Sequence, residues 1–389
     1  MRVFLFSIDA LGVGAAKDYY KYNVENKDAN TLKRISENYP NPQDNYLGDL
    51  ILNHKKEEYE YFAGRKYLCF RLELGYIGAD SYVGHQAMMG NVLRELHMTF
   101  IEDNLDVIIS ELKKKYPEER IEYRDGLIYI SDNYVIGNNA ESDLGVNLNL
   151  LALKKQITLE MIKDVALIFR KLCSFERIIC MYNNDIDLSN LEQCLTTVQL
   201  ENRTITRFRV APLGLYNENY KVYHWCKDSY NVMLDMIKND IEVNLIGKTA
   251  DMFEHELFKR CWFESTPEAF EYLIKAIVDG DKNKDIFYFI NFQEIDLCGH
   301  ARDLEGATQA LEVLNECFRK FIEQSNEDDC VIITADHGND PLITANHTRE
   351  DVPFLVFGND SVLEKMKEVE GPLELEYISK YLKKLYMVG

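Results

Sequence analysis

The densest set of residues with chemical potential lies in the C-terminal third of the chain, where polar side chains follow apolar runs. Asp336 and His337 come after the run 331–334, and His347 follows a short loop later. Asp296 and His300 follow the apolar run 286–292. Imidazole and carboxylate groups bind Zn²⁺ or Mn²⁺, and two such ions can clamp a phosphoryl group during transfer. The alternative is that these residues only cap loops at strand ends.

A similar arrangement occurs at the N-terminus. Asp9 ends the apolar run 3–8 and is followed by Gly12 and Gly14. A dinucleotide-binding loop is the rival interpretation, but Lys17 stands where its third glycine or alanine belongs. Asp9 is therefore a candidate metal ligand, with helix capping as the alternative role.

Ser81 is the candidate nucleophile. It lies in the segment Gly-Ala-Asp-Ser-Tyr-Val-Gly-His at residues 78–85. Metal coordination could activate its hydroxyl without a separate base. A serine in such a segment is otherwise an ordinary turn residue.

The secondary-structure elements that must position these residues alternate as in an α/β protein. Apolar runs of strand length, at 3–8, 241–246, 286–292, 331–334 and 354–357, alternate with helical patterns. Ala307, Leu311, Leu314, Phe318 and Phe321 recur every three or four residues and predict one apolar helix face. We therefore expect a mainly parallel sheet flanked by helices, with the candidate ligands at the carboxyl ends of its strands.

Residues 95–212 have a different pattern, in which Asp125-Gly126 separates two apolar runs and predicts a β-hairpin. We interpret this segment as a smaller α/β cap domain. It is inserted into a metal-binding catalytic core made of residues 1–94 and 213–389.

Composition narrows the function classes. The 389 residues include 44 basic and 65 acidic side chains, and the resulting charge of −21 disfavours binding to nucleic acid. The 9 cysteines form no Cys-x-x-Cys pair, which favours reduced thiols and a cytoplasmic location. No apolar run is long enough to predict a membrane span. We expect a monomer or a weak homo-oligomer.

Together the segments resemble the alkaline phosphatase superfamily of two-metal enzymes, most closely its phosphopentomutase branch. The resemblance rests on residues 7–14, on Asp-Ala-Asn-Thr-Leu at 28–32, and on residues 334–341 with 347–350 and 352–353. It implies one metal ion bound by Asp9, Ser81, Asp336 and His337. It implies a second ion bound by Asp296, His300 and His347. Mn²⁺ is the expected metal, with Zn²⁺ and Mg²⁺ as alternatives.

The resemblance also bears on the nucleophile and the substrate. Ser81 stands where the family carries a threonine that becomes phosphorylated, and Lys248 matches a lysine near the substrate. His85 and Asp132 are further candidate substrate contacts, although a loop lysine and a turn aspartate are the plainer interpretations of Lys248 and Asp132. The chain departs from the family at Gln86-Ala87, and at Ala211 where an arginine is expected.

These features predict a phosphomutase that interconverts ribose 1-phosphate and ribose 5-phosphate, or their deoxy forms, through a phosphoserine. The inserted domain would close over the metals and exclude water. If it does not, the same core would be a phosphatase or phosphodiesterase. A third possibility is a non-catalytic metal-binding or interaction protein.

Overall fold

The computed structural model describes residues 1–22, 24–54, 58–95, 98–141, 144–153, 157–183, 188–213, 221–226, 230–280 and 284–388. The chain divides into two compact units. The first combines Met1–Arg94 with Ser229–Gly389, and the second is Glu95–Asp228. None of the described helices combines the length and the apolarity needed to cross a membrane.

The first unit is built on an eight-stranded sheet. Numbered along the chain and given in spatial order, its strands are β13 (Lys259–Cys261), β12 (Glu242–Ile246), β14 (Ile286–Phe292), β1 (Arg2–Ile8), β15 (Cys330–Thr334), β16 (Val352–Phe357), β3 (Arg65–Leu72) and β2 (Glu60–Phe62). Every residue of β1, β14, β15 and β16 is buried, which explains why these strands are nearly continuous apolar runs.

Ten helices belong to the described part of this unit. They are α1 (Thr31–Glu37), α2 (Tyr46–Leu52), α3 (Ser81–Met88), α6 (Val232–Lys238), α7 (Thr249–Met252), α8 (Thr266–Asp279), α9 (Glu294–Ala301), α10 (Leu304–Gln324), α11 (Asp360–Lys367) and α12 (Glu376–Tyr386). All five residues of the predicted apolar face lie buried on α10. Its Phe321 packs edge-on against Phe4 and Phe6 of β1, with ring centroids 5.1 Å apart in each pair.

The α/β fold class predicted from the sequence is confirmed, but the sheet is mixed. The strands from β13 to β15 are parallel, whereas β16, β3 and β2 pair antiparallel. A parallel strand after β15 would need a crossover connection, usually a helix. Residues 335–351 form a loop with short bridges instead, so the chain returns antiparallel.

The second unit has its own sheet, in the order β11-β8-β7-β6-β10-β9, with β5 also paired to β6 and β4 paired to β5. Its strands are β4 (Ile121–Arg124), β5 (Leu127–Ile130), β6 (Tyr134–Asn139), β7 (Asn147–Ala152), β8 (Arg177–Tyr182), β9 (Leu195–Gln199), β10 (Thr204–Phe208) and β11 (Lys221–Cys226), and its helices are α4 (Leu105–Lys115) and α5 (Leu159–Leu172). Across both units, short 3₁₀ helices lie at Tyr19–Lys21, Val24–Asp28, Pro42–Asp44, Ile101–Asn104, Leu188–Cys194 and Ala211–Leu213.

Two sequence expectations can be compared with this unit. The hairpin is confirmed, because β4 and β5 pair antiparallel across Asp125 and Gly126, whose φ angles are 55° and 79°. The unit ends later than the expected residue 212. Strand β11 pairs antiparallel with β8, so it belongs to the second sheet and the boundary follows Asp228.

Candidate metal centre and nucleophile

The candidate ligands lie where neighbouring parallel strands end. Asp9 follows β1, Lys248 comes shortly after β12, Asp296 lies in the first turn of α9 just after β14, and Asp336 and His337 come shortly after β15. Because parallel strands present their carboxyl ends at one edge, residues far apart in sequence meet there. The sheet thus collects the polar residues into one site of the first unit.

Asp9, Asp336 and His337 form the first candidate metal group. One ligand atom of each lies within 4.8 Å of the others. His337 Nε2 is 3.4 Å from Asp9 Oδ1 and 3.2 Å from Asp336 Oδ2. All three side chains are fully buried. Buried carboxylates are stable only when paired with donors or with a cation.

The donor atoms of this group fit a metal ion. His337 Nδ1 is 3.0 Å from the carbonyl oxygen of Gly338, to which it can only donate, so the neutral ring presents a lone pair at Nε2. Asp9 Oδ1 and His337 Nε2 are buried and have no hydrogen-bond partner among the described residues. Two acceptor atoms that face each other 3.4 Å apart require a cation between them.

Without a metal, a proton takes that place. Burial alone would lower the pKa of His337, but the negative charges of Asp336 and Asp9 outweigh it and raise the pKa to about 10. Metal binding and protonation at Nε2 therefore compete for the same lone pair.

Asp296, His337 and His347 form a second group within the same 4.8 Å limit, so His337 is common to both groups. His300 lies beside this group, with Nε2 3.4 Å from Asp296 Oδ2 and 3.2 Å from His347 Nε2. The second predicted ligand set is thus brought together. The family resemblance implies a place for His337 at the first metal alone.

Backbone carbonyls orient both of these histidines. His300 Nδ1 is 2.8 Å from Ala345 O, and His347 Nδ1 is 2.6 Å from Ala79 O. Each Nδ1 therefore donates, and each Nε2 faces the group as a lone pair. Asn339 Nδ2 donates to Asp296 Oδ1 at 3.0 Å. In the metal-free protein burial would raise the pKa of Asp296, but a hydrogen bond from protonated His300 and the positive charge of Lys248 hold the pKa well below its usual range.

Ser81 is the first residue of α3, not a turn residue as the plainer interpretation had it. Asp80 caps this helix by accepting from the backbone N–H of Val83 at 3.1 Å. The Ser81 hydroxyl donates to Asp336 Oδ2 at 2.5 Å. An N-terminal helix position also favours a negatively charged group such as a phosphate.

Lys248 completes the surroundings of this hydroxyl. Its ammonium group donates to Ser81 Oγ and to Asp9 Oδ2, at 2.7 Å in each case. Burial would lower the pKa of Lys248, but Asp9, Asp296 and Asp336 reverse this and raise it, so the ammonium stays charged. A fixed positive charge beside Ser81 Oγ favours the alkoxide over the hydroxyl.

The other two predicted substrate contacts lie elsewhere. His85 is fully buried, and both ring nitrogens face protein groups, Ser81 O at 2.8 Å and Asn291 Nδ2 at 3.0 Å. The ring lies on the buried side of the site and contacts protein groups, so His85 has a structural role in place of the expected contact with substrate. Asp132 is exposed in the turn between β5 and β6 of the second unit. This placement agrees with the turn role.

Sequence reasoning missed several supporting residues. Asn291 donates to Asp9 Oδ2 at 3.2 Å, and the Tyr76 hydroxyl donates to Asp336 O at 2.7 Å. Arg349 donates to the carbonyls of Tyr76 and Gly78, in the segment that leads to Ser81. The single amide within the apolar run of β14 could have identified Asn291.

Glu350 explains the glycines near Asp9. Its carboxylate accepts from the N–H of Gly14 at 3.2 Å and from the N–H and hydroxyl of Thr31 at 2.9 and 2.7 Å. A Cβ added at Gly12 would lie 2.3 Å from Glu350 Oε2. The loop is therefore shaped by close packing on a buried carboxylate, which argues against the dinucleotide interpretation.

Comparison with known proteins gives a consistent result. The sequence model of a protein family described as the Metalloenzyme superfamily matches residues 1–374. The chain is 28% identical over 375 residues to the phosphopentomutase of Clostridium perfringens strain SM101, with 92% of this chain and 87% of that protein covered. It is 26% identical to the phosphopentomutase of Mycoplasmopsis pulmonis, with 92% and 88% covered. Among solved structures, Leishmania mexicana phosphoglycerate mutase aligns with a TM-score of 0.42 at 14% identity, covering 92% of this chain and 89% of that one.

Proposed function

Because the chain belongs to the metalloenzyme superfamily, we propose that it is a metal-dependent phosphomutase. The proposed reaction interconverts ribose 1-phosphate and ribose 5-phosphate, or their deoxy forms, through phosphorylated Ser81. The observation that carries the proposal is the position of Ser81 Oγ, between the Lys248 ammonium at 2.7 Å and the Asp336 carboxylate at 2.5 Å. The name of the relatives supplies the substrate class.

The chain's own residues account for the steps of phosphoryl transfer. Bound divalent ions would neutralise the phosphoryl oxygens and lower the pKa of the Ser81 hydroxyl. Asp9, Asp336 and His337 would hold one ion, and Asp296, His300 and His347 the other, with Mn²⁺ as the proposed metal. Lys248 stabilises the negative charge on Ser81 Oγ whenever the bond between this oxygen and phosphorus breaks.

The mutase cycle conserves phosphate. The free 5-hydroxyl of ribose 1-phosphate attacks the phosphorus of phospho-Ser81, Ser81 Oγ leaves, and a bisphosphorylated sugar is formed. Ser81 Oγ then attacks the phosphorus at position 1, which releases ribose 5-phosphate and restores phospho-Ser81. The proton lost by the 5-hydroxyl in the first step balances the proton gained by the 1-hydroxyl in the second.

The cycle requires that water does not reach phospho-Ser81. We propose that the second unit, Glu95–Asp228, acts as the cap that excludes water during the reaction. We also propose a cytoplasmic location, because the cysteines whose side chains are described are free thiols.

The decisive experiment identifies the product to which the phosphate of the substrate is transferred. The Mn²⁺-loaded protein is incubated with ribose 1-phosphate and monitored by phosphorus NMR. A mutase yields ribose 5-phosphate, whereas release of inorganic phosphate alone would identify a phosphatase. Fewer than one bound divalent ion per chain after purification in Mn²⁺ would favour the non-catalytic metal-binding protein.

The covalent step has its own test. Peptide mapping by mass spectrometry is expected to find phosphate on Ser81 after incubation with the sugar phosphate. Ser81→Ala should abolish turnover while the folded structure, followed by circular dichroism, is kept. An Ala variant that still forms ribose 5-phosphate would rule out the phosphoserine.

A further inference from the structure

Asn291 is a polar residue within the otherwise apolar strand β14, and it lies under the candidate metal site. Its side chain is 7% exposed. Its Nδ2 is 3.2 Å from Asp9 Oδ2 and 3.0 Å from His85 Nε2. A carboxylate oxygen can only accept a hydrogen bond, so the end of the amide that faces Asp9 must be the NH₂ group.

This donor fixes the form of the His85 ring. An amide nitrogen has no lone pair to accept with, so His85 Nε2 must accept from Asn291. The ring proton then lies on Nδ1, which is 2.8 Å from Ser81 O and 3.3 Å from Asp336 Oδ2. His85 thereby donates towards both the first turn of α3 and a candidate metal ligand.

The same amide determines which carboxylate oxygen of Asp9 is available to a cation. Asn291 and Lys248 both donate to Oδ2, at 3.2 and 2.7 Å. Oδ1 has no hydrogen-bond partner in the described part of the chain and faces His337 Nε2 at 3.4 Å. One oxygen is therefore held by the protein, and the other is left for a cation.

We infer that Asn291 is a positioning residue with two linked effects. Together with Ser81 O it holds His85 in the tautomer protonated at Nδ1, and it holds Asp9 so that Oδ1 faces the candidate metal site. Through these contacts it sets the geometry of Asp9, Asp336 and the Ser81 backbone without itself touching the substrate. The inference rests on the proposed function for metal binding at Asp9 and for the role of Ser81.

The first test is spectroscopic and needs no activity. Nitrogen NMR of the full-length, metal-free protein labelled at histidine reports which ring nitrogen carries the proton, and a His85→Gln variant assigns the signals. The wild type is expected to show His85 protonated at Nδ1 only. A wild-type ring protonated at Nε2 overturns the inference.

Two substitutions extend this test. Asn291→Leu removes the donor but leaves Ser81 O as the acceptor for Nδ1, so the proton should stay on Nδ1 while the Nε2 signal moves to that of a nitrogen without a hydrogen bond. Asn291→Asp keeps the shape of the side chain but offers an acceptor, so a proton should appear on Nε2. An unchanged Nε2 signal in Asn291→Leu, or no proton on Nε2 in Asn291→Asp, contradicts the role of Asn291. Because the Asp variant is nearly isosteric, it remains informative if the Leu variant fails to fold.

The second test measures metal affinity by calorimetry with Mn²⁺. Loss of an outer hydrogen-bond partner typically weakens metal binding about 10- to 100-fold, and we expect this range for Asn291→Leu. The matched control is Asn244→Leu, because Asn244 is a buried amide on the adjacent strand β12 that donates to Glu242 at 3.1 Å.

The outcomes separate this inference from the proposed function. An unchanged affinity in Asn291→Leu, or an equal loss in Asn244→Leu, contradicts the positioning role. If instead the NMR and affinity results are as expected while ribose 1-phosphate is not converted, the positioning role stands and the proposed reaction is wrong.

Discussion

Lys248 carries a fixed positive charge in direct contact with the proposed nucleophile, Ser81. Its Nζ atom lies 2.7 Å from both Ser81 Oγ and Asp9 Oδ2, so it joins the hydroxyl to a candidate metal ligand. Three carboxylates raise the pKa of this lysine, which excludes a role as a general base near neutral pH. Its chemical contribution is electrostatic.

Replacement of Lys248 should therefore slow the chemical step. For Lys248→Met we expect kcat to fall about 10²- to 10³-fold, the usual cost of removing one preorganised donor from a developing oxyanion. Phosphorus NMR with ribose 1-phosphate measures this. Lys259→Met is the control, because Lys259 pairs with Glu242 at the surface. A kcat within twofold of wild type for Lys248→Met would contradict the electrostatic role.

Asp351 provides a pH-dependent prediction outside the ligand groups. Burial and the negative charge of Glu73 raise its pKa from 3.8 to about 6, and Oδ1 has no partner among the described residues. An acid whose pKa is raised by folding lowers the stability of the folded state at pH values above its unfolded-state pKa. Asp351→Asn should therefore stabilise the protein at pH 7 by about 1 kcal/mol, after allowance for partial exposure.

The size of this effect depends on pH in a defined way. Below pH 3.8 the carboxyl is protonated in both states, so the gain should disappear. It should grow between pH 3.8 and about pH 6, where only the unfolded state is ionised, and level off above that. Urea unfolding of wild type and Asp351→Asn at pH 4 and pH 7 measures it. An equal difference at both values would show that ionisation of Asp351 is not the cause.

At the level of elements, two tight hairpins have the same backbone requirement but different surroundings. Gly126, between β4 and β5, has φ 79°, and Gly64, between β2 and β3, has φ 78°. A Cβ at Gly126 would lie 2.2 Å from Thr206 Cβ, whereas a Cβ at Gly64 would meet nothing within 4 Å. Both turns need a left-handed residue, and one of them is also closely packed.

Alanine at these positions separates strain from packing. Gly64→Ala should cost about 1 kcal/mol of unfolding free energy, from the backbone alone. Gly126→Ala should cost about 1 to 3 kcal/mol more because the strands must shift. Denaturant unfolding, monitored in each unit, gives both values. Equal costs would mean that Thr206 moves aside freely.

For the whole molecule, charge links the acidic composition to the candidate metal site. The chain carries a net charge of −21, and three of its carboxylates, Asp9, Asp296 and Asp336, are buried in one site. Two divalent ions would remove this local excess of negative charge. We therefore expect metal binding to contribute substantially to the stability of the first unit.

Metal addition should raise the melting temperature of the protein. At a free Mn²⁺ concentration 100 times its Kd, the stabilisation is about 2.7 kcal/mol per site, and EDTA should reverse it. Asp9→Asn and Asp296→Asn should each reduce the shift, whereas Asp44→Asn, at an exposed position, should not. Differential scanning fluorimetry measures the shift. The absence of any Mn²⁺ effect in wild type would argue against both metal groups.

The sequence by itself determined the strands and the ligand types. Buried runs such as 286–292 are apolar because both faces of the strand are covered. Polar residues follow them because ligands bind at the carboxyl ends of the strands. The hairpin at Asp125-Gly126 was also predictable, since few residue pairs tolerate two positive φ angles. These features depend on neighbours in the chain.

The tertiary structure alone decided which residue is common to the two candidate metal groups and which residues hold the candidate ligands in place. His337 belongs to both metal groups, Asn291 holds Asp9 and His85, and Glu350 packs against Gly12. Each of these contacts joins residues that are far apart in sequence, and the hydrogen-bonding needs of buried groups select them, not any local pattern. His85, one turn after Ser81 on the same face of α3, lies behind the site because Ser81 O and Asn291 occupy its two ring nitrogens. Sequence periodicity carries no information about such distances, whereas packing of the folded chain fixes them.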